Sequence, residues 1–137
     1  MASLSLQRSK ELLQEQGYHV WVTEFWNPHA FRRVDLFNMC DLVAIRHDQK
    51  GVTGIQCCSD DVPKHLEKLL TGYTDTKGKV WPKNPHLPVW LAAGNSFFIW
   101  DWVKRGAAGK RKMYQLREVE FLLDGPTVIH REIPRAD

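Results

Sequence analysis

Two short apolar stretches in the first half of the chain carry polar residues where chemistry can be placed. Asp41 begins the first stretch, and Gln56 lies near the end of the second. The polar segment His47–Gly51 between them has turn chemistry, so the stretches are expected to pair as a β-hairpin. Carboxylate, amide and backbone carbonyl oxygens are the ligands that hard divalent cations prefer. The spacing therefore predicts a divalent-cation site between two strands.

Each of these residues also has a structural interpretation. Asp41 can be a metal ligand, or it can pair with Arg33 or Arg46 or cap a turn. A buried carboxylate without a partner is costly, which favours the ligand role. Asp35, six residues before Asp41, can bring a second carboxylate to the same ion or can cap a loop. Gln56 can be a ligand or can make a hydrogen bond within the sheet.

Positive charge is concentrated in two clusters, although the net charge of the 137-residue chain is only +3. The larger cluster surrounds a glycine-containing segment and consists of Lys104, Arg105, Lys110, Arg111 and Lys112. The smaller cluster is the pair Arg32 and Arg33. Basic clusters near a metal site are suited to a polyanionic substrate such as nucleic acid. The alternative is ordinary solvated surface, which is the preferred interpretation for the arginine pair taken alone.

Length and composition limit the other possibilities. A chain of 137 residues is expected to form one domain, residues 1–137, that buries about two-thirds of its unfolded surface. No apolar run reaches the ~20 residues of a membrane span, and the N-terminal sequence lacks the pattern of a secretory signal. Three cysteines are an odd number, and two of them are adjacent. We therefore expect free thiols, no membrane association and a reducing, cytoplasmic location.

The hydrophobic pattern predicts the elements that position these residues. Residues 4–16 and 60–70 have apolar side chains at helical spacing, and each segment is followed by a glycine that can end a helix. Alternation or short apolar runs predict strands at residues 18–25, 41–45, 52–58, 89–93 and 97–103.

The remaining segments are less well defined by the pattern. Residues 27–38 and 71–88 are expected to be irregular, and residues 113–122 to form a strand or a short helix. The tail from Asp124 has no clear pattern. The order of elements predicts an α/β fold in which helices flank a mixed central β-sheet.

This order of elements, together with the motifs on two of the strands, resembles the core of the PD-(D/E)XK nuclease superfamily. In that superfamily one strand begins Asp-hydrophobic-hydrophobic-small, which residues 41–44 match as Asp-Leu-Val-Ala. The partner strand reads hydrophobic-Glu-X-Lys, or Gln-X-Lys in some members, where this chain has Ile-Gln-Cys-Cys. The resemblance covers roughly residues 5–103 and is to archaeal-type Holliday-junction resolvases and related phage or virus-type replication and repair nucleases. It implies a restriction-endonuclease-like core.

The resemblance also implies a role for each matched position. Asp41 matches the metal-binding aspartate, Gln56 stands where a second carboxylate is usual, and Cys57 stands where a backbone carbonyl reaches the metal. Cys58 replaces the lysine that orients or activates the attacking water, and a thiol supplies no fixed positive charge. Members of the superfamily can move this charge to the following helix, where Lys64 is the candidate.

Together these roles imply a Mg²⁺- or Mn²⁺-dependent DNA endonuclease that hydrolyses phosphodiester bonds, with structure-specific, resolvase-like action and a homodimeric assembly. Its catalytic residues are Asp41, Gln56, Lys64 and Asp35. The departures at Gln56 and Cys58 leave an alternative open, a catalytically degenerate protein that keeps the nuclease fold and binds nucleic acid without cleaving it. A more distant alternative is a protein-interaction domain whose basic loop contacts an acidic partner.

Overall fold

A computed structural model describes residues 3–106 and 113–134 of the chain. Its helices are α1 (Leu4–Glu15), α2 (Val62–Leu70) and α3 (His86–Ala92). Its strands are β1 (His19–Val22), β2 (Phe25–Asn27), β3 (Arg32–Val34), β4 (Leu42–Ile45), β5 (Thr53–Cys58), β6 (Tyr73–Thr74), β7 (Val80–Trp81), β8 (Ser96–Arg105), β9 (Met113–Asp124) and β10 (Thr127–Ile133). No helix in the described ranges is both long and apolar enough to cross a membrane.

Six of the strands form one mixed sheet in the order β1-β4-β5-β8-β9-β10. Neighbouring strands are antiparallel except for β5 and β8, which are parallel. One hydrophobic core lies between the sheet and α1, and a second lies between the opposite face and the helices α2 and α3. The predicted α/β class with a mixed sheet flanked by helices is therefore confirmed.

Strand β5 lies inside the sheet, and all six of its residues are buried. Its side chains alternate between the two cores, as strand geometry requires. Ile55 and Cys57 pack with α1, whereas Cys58 packs with α2 and α3. Gln56 therefore projects from the same face as Cys58, beneath α2.

The two predicted helices are present and have recognisable ends. The Ser3 hydroxyl accepts a hydrogen bond from the Leu6 N–H at 3.2 Å and caps the start of α1. Gly17, with φ of +91°, follows the end of this helix in the left-handed conformation that glycine adopts without steric cost. Pro63 lies in the first turn of α2, where its missing N–H removes no helical hydrogen bond.

The predicted strand at residues 89–93 is wrong, because this segment belongs to α3. The Asn84 side-chain oxygen accepts hydrogen bonds from the N–H groups of His86 at 2.8 Å and Leu87 at 3.2 Å, which starts the helix. Leu87, Trp90 and Leu91 then lie on one helical face and pack against the core. An apolar run of this length fits a strand and a helix equally well.

Several boundaries also differ from the prediction. The expected strand at residues 18–25 ends at Val22, and its last residue, Phe25, begins the separate strand β2. The partner of β2, β3, and the antiparallel pair β6–β7 lie within segments that were expected to be irregular. Strands of two or three residues are too short to show a pattern. Residues 113–122 belong to the strand β9, and the tail forms β10 after the two-residue turn Gly125-Pro126.

We expect the substitution Gly54→Ala to destabilise the protein by about 1–3 kcal/mol through overpacking. A β-carbon at residue 54 in β5 lies 2.5 Å from the Cys40 sulfur and 3.2 Å from the Trp90 ring. Urea unfolding of Gly54→Ala, Cys40→Ala and the double variant measures the effect. The double variant should be less destabilised than the sum of the single variants, because the smaller residue 40 makes room; strict additivity would contradict the clash.

Candidate functional site

The predicted pair of site residues forms a buried cross-strand contact. Asp41 immediately precedes β4, and the register of β4 with β5, extended by one residue, places it opposite Gln56. One Asp41 carboxyl oxygen, Oδ2, accepts hydrogen bonds from Gln56 Nε2 at 2.7 Å and from the Cys57 N–H at 2.8 Å. The Asp41 N–H donates to the Ile55 carbonyl at 2.8 Å. Both backbone and side chain therefore hold Asp41 against β5.

The other polar atom of the Gln56 amide is the oxygen Oε1. This oxygen is buried and has no hydrogen-bond partner among the described residues. A buried polar atom without a partner costs about 1–3 kcal/mol. The Nε2–Asp41 bond fixes the amide, so Oε1 is held in place as a free acceptor that could ligate a cation.

A second carboxyl group, that of Asp35, contacts this pair; the sequence left open whether Asp35 joins Asp41 or caps a loop. Asp35 shares a side-chain hydrogen bond with Asp41. Burial raises the pKa of Asp41 to about 8; the Cys57 N–H partly offsets this effect, and the negative charges of Asp35 and Glu24 add to it. Burial also raises the pKa of Asp35, against the opposing charge of Lys68. The site therefore concentrates acidic groups, and Asp35 and Asp41 share a proton when no cation is bound.

The chain on either side of the β2–β3 hairpin contributes these acidic groups. After β1, the Thr23 N–H donates to the Asp41 carbonyl at 2.9 Å, and the Thr23 hydroxyl donates to the Cys40 carbonyl. Glu24 precedes the hairpin, and Asp35 follows it. The hairpin is thus attached to the site at both of its ends. Glu24 was not identified from the sequence, because it lay inside a strand predicted to continue to Phe25.

Helix α2 brings lysines to the same side of the sheet. Lys68 is partly buried and is the lysine whose charge lowers the pKa of Asp35. Lys64, the residue singled out in the sequence, is exposed one turn earlier on the same helical face. Both line a cavity of about 430 Å³ with His65 and Tyr73. Lys68 was not identified from the sequence. Its position four residues after Lys64 would have placed it on the same face of the helix.

The thiols of the two cysteines at the end of β5 are buried in the protein and stay neutral. The Cys57 thiol faces the α1 core, so only the backbone of this residue belongs to the site. The Cys58 thiol lies 3.5 Å from Asp101 Oδ1 and donates to it. Burial raises the pKa of both thiols, which keeps them neutral. Cys58 therefore supplies no charge in place of the lysine that the resemblance implies.

The two basic clusters lie in different places. Arg32 and Arg33 are exposed on β3, next to the acidic site, and Arg33 donates to Glu24 at 3.1 Å. Lys104 and Arg105 are exposed at the end of β8, five or more residues beyond Ile99, which pairs with Gln56. At about 3.3 Å per residue this is roughly 17 Å along the strand. The other predicted members of this cluster, Lys110, Arg111 and Lys112, lie outside the described residues.

Within residues 3–106 and 113–134, no group of three or more His, Cys, Asp or Glu side chains is arranged to hold a metal ion. A cation at this place would therefore need the Gln56 amide in addition to the carboxylates of Asp35 and Asp41. Comparison with known proteins identified no relative: no family model, no curated protein and no solved structure matches the chain significantly.

Proposed function

We propose that the chain is a metal-dependent DNA nuclease that hydrolyses phosphodiester bonds on a PD-(D/E)XK-like core. The observation that carries the proposal is the buried Asp41–Gln56 pair beside Asp35, in which Gln56 Oε1 has no hydrogen-bond partner in the part of the chain that the structure describes. These are the oxygen types that Mg²⁺ and Mn²⁺ prefer. They lie at the two strand positions that the sequence motifs assign to the metal site.

The order of the elements supports the same proposal. Helix α1 is followed by the antiparallel strands β1, β4 and β5, and then by α2 and the parallel strand β8. The resemblance was noted for a helix, three strands, a helix and two further strands. The elements agree with this order except that residues 89–93, expected as the first of the two further strands, belong to α3. The Asp motif begins the second strand of this series, and the Gln motif lies on the third.

Asp35, Asp41 and Gln56 Oε1 would hold a divalent cation, since carboxylate and amide oxygens are the ligands that such ions prefer. A bound cation would supply Lewis-acid chemistry at a phosphoryl oxygen and at the leaving 3′-oxygen. Gln56 Nε2 and the Cys57 N–H fix the orientation of the Asp41 carboxylate. Lys68 supplies a positive charge, which Cys58 lacks, and this charge acts on Asp35 of the same site.

A second function has one observation in its favour. Cys58 donates to the buried Asp101 and does not replace the lysine chemically. A protein with this site could bind nucleic acid without cleaving it. The two functions differ in whether DNA is cleaved when a cation is present, so a cleavage assay with Mn²⁺ or Mg²⁺, read beside binding in EDTA, separates them.

The experiment that tests the nuclease function uses the purified chain with plasmid, branched and single-stranded DNA. Cleavage that requires Mn²⁺ or Mg²⁺ and stops in EDTA supports the proposal, and Mn²⁺ titration by calorimetry reports the ion directly. If gel shifts in EDTA show DNA binding but neither metal supports cleavage of any substrate, the nuclease function is refuted and the protein binds nucleic acid without cleaving it. Sedimentation of the same preparation tests the implied homodimer.

We expect Gln56→Glu to tighten Mn²⁺ binding. Glutamate presents a charged oxygen where Gln56 Oε1 is now neutral, and affinity for hard cations rises with the number of charged ligands. The half-maximal Mn²⁺ concentration for cleavage should fall by about tenfold, which corresponds to roughly 1.4 kcal/mol. The matched control is Gln115→Glu on β9, where we expect no change. If Gln56→Glu folds but has the wild-type Mn²⁺ dependence, Gln56 is a structural residue.

A further inference from the structure

We infer that the β2–β3 hairpin binds unpaired nucleotides by stacking their bases on its aromatic side chains. The inference rests on the proposed function, because it specifies which DNA reaches the acidic site. Three aromatic residues of the segment are largely exposed: Phe25 at 56%, Trp26 at 55% and Phe31 at 80%. Phe25 and Trp26 are neighbours in β2 and project from opposite faces of the hairpin, so each face presents an exposed aromatic side chain to a partner.

The neighbouring edge of the main sheet extends this aromatic surface. Trp21 on β1 is 74% exposed and pairs with Val43, which packs in the core under α2 and α3. The Trp21 side chain therefore projects from the same face of the sheet as Gln56. Trp21 lies two residues, about 7 Å, before Thr23, whose N–H donates to the Asp41 carbonyl. The exposed indole is thus next to the acidic site.

The backbone of the hairpin holds Phe31 in an exposed position. Phe31 has φ of +51°, a left-handed conformation that is costly for a residue with a large side chain. The Asn27 side-chain oxygen accepts hydrogen bonds from the N–H groups of His29 at 2.9 Å and Ala30 at 3.2 Å, which orders the turn. A strained, ordered turn that exposes an apolar ring does not serve stability, and such strain is typical of functional positions.

Charge selects nucleic acid as the occupant of this surface. Trp26 pairs with Arg33 across the hairpin, and Asn27 pairs with Arg32, so each face of the hairpin carries an aromatic ring and a guanidinium group. Rings that stack on bases beside cations that contact phosphates are the combination that binds single strands without sequence preference. Arg33 also donates to Glu24, and an apolar protein partner would bury the charge of the exposed Arg32 side chain, which is costly.

The two ends of the hairpin place nucleotides bound on it close to the acidic site. Glu24 and Asp35 flank the hairpin, and both act on the Asp41 carboxyl group. The strands of the hairpin are three residues long, or about 10 Å. Nucleotides stacked on the hairpin therefore lie within a few nucleotide steps of the proposed scissile phosphate. The substrate class that fits is DNA with an unpaired segment next to the cleavage point.

The test measures DNA binding by the full chain in EDTA, by fluorescence anisotropy, so that cleavage does not contribute. The probes are a labelled thymidine oligomer, an abasic oligomer of the same length that keeps the phosphates, and a blunt duplex. Wild type should bind the thymidine oligomer on the order of tenfold more tightly than the abasic oligomer, since one stacked base supplies an effect of this size.

Trp26→Ala and Phe31→Ala should each remove most of this tenfold preference and leave duplex binding unchanged. Trp26→Phe keeps an aromatic face and should retain the preference. The matched control is Ile129→Ala, an exposed apolar residue on β10 at the opposite edge of the sheet, which should bind like wild type.

Equal affinity of wild type for the thymidine and abasic oligomers would overturn the inference. So would a wild-type dimer that Trp26→Ala converts to a monomer, because the hairpin would then cover a second copy of the chain. These results are independent of the nuclease proposal. If the variants lose base-dependent binding, the base-stacking role of the hairpin is supported even when the protein cleaves no DNA. The absence of cleavage would then refute only the nuclease function.

Discussion

Asp41→Asn should abolish metal-dependent DNA cleavage, with a loss on the order of a thousandfold or more. Asparagine keeps an oxygen that can accept the hydrogen bonds from Gln56 Nε2 and the Cys57 N–H, so the local geometry is preserved. It removes the charge that the cation requires, and charge stabilisation by a bound cation supplies several kcal/mol. Single-turnover cleavage at saturating Mn²⁺ measures the loss. Cleavage by the variant at the wild-type rate would remove Asp41 from the site.

The same substitution has an expected effect on stability, which serves as its control for folding. The raised pKa of Asp41 means that the folded state keeps a proton that the unfolded chain releases between about pH 4 and pH 8. Stability falls with pH wherever the unfolded state binds fewer protons, so wild type should lose stability as the pH rises through this window. The groups that face Asp41 are Asp35 and Glu24, and Lys68 faces Asp35.

Asp41→Asn lacks this titration and should be less sensitive to pH. Melting temperatures of the two proteins in EDTA, measured from pH 5 to pH 8, should diverge in favour of the variant. Addition of Mn²⁺ at pH 8 should stabilise wild type and leave the variant unchanged. A difference in melting temperature that stays constant across the window would show that Asp41 does not titrate there.

Lys68→Ala should reduce cleavage on the order of a hundredfold, the loss expected when one preorganised charge at a reacting centre is removed. The reason is the position of Lys68 on α2, where its charge acts on Asp35. Lys64→Ala is the matched control, because it removes the same side chain from the same helical face one turn earlier. We expect a change of less than about threefold for Lys64→Ala, since exposed charges contribute little.

Lys68→Arg keeps the charge and should recover part of the activity. Both alanine variants should melt within a few degrees of wild type, so a loss of activity is not a loss of fold. The reverse order, in which Lys64→Ala is the inactive variant, would restore the role that the sequence motif suggested for Lys64.

The parts of the fold that were predictable from the sequence are those with a pattern longer than one turn or one strand. Helices α1 and α2 have apolar residues at helical spacing and glycines after their ends, and β4 and β5 are apolar runs on either side of a polar turn. The mistake at α3 has a different cause. Its start depends on the side chain of Asn84, a short-range contact that hydrophobic periodicity does not report.

The site was predictable where it depends on pairing within one hairpin. Asp41 and Gln56 lie on adjacent strands that a short polar turn connects, so their proximity follows from local sequence. Glu24 and Lys68 come to the site through the tertiary arrangement of β1 and α2, and no local pattern contains that information. Asp35 is intermediate, since its distance of six residues from Asp41 permitted contact without requiring it.

The parallel pairing of β5 with β8 has a consequence for synthesis of the chain. The antiparallel strands β1, β4 and β5 are close in sequence, whereas Thr53 pairs with Ser96 only after more than forty intervening residues have been made. Chains emerge from the ribosome N-terminal end first. Until β8 arrives, β5 has an unpaired edge and apolar side chains on both faces, the type of edge that joins strands of other molecules. Nascent chains that stop before residue 96 are therefore expected to aggregate or to require a chaperone.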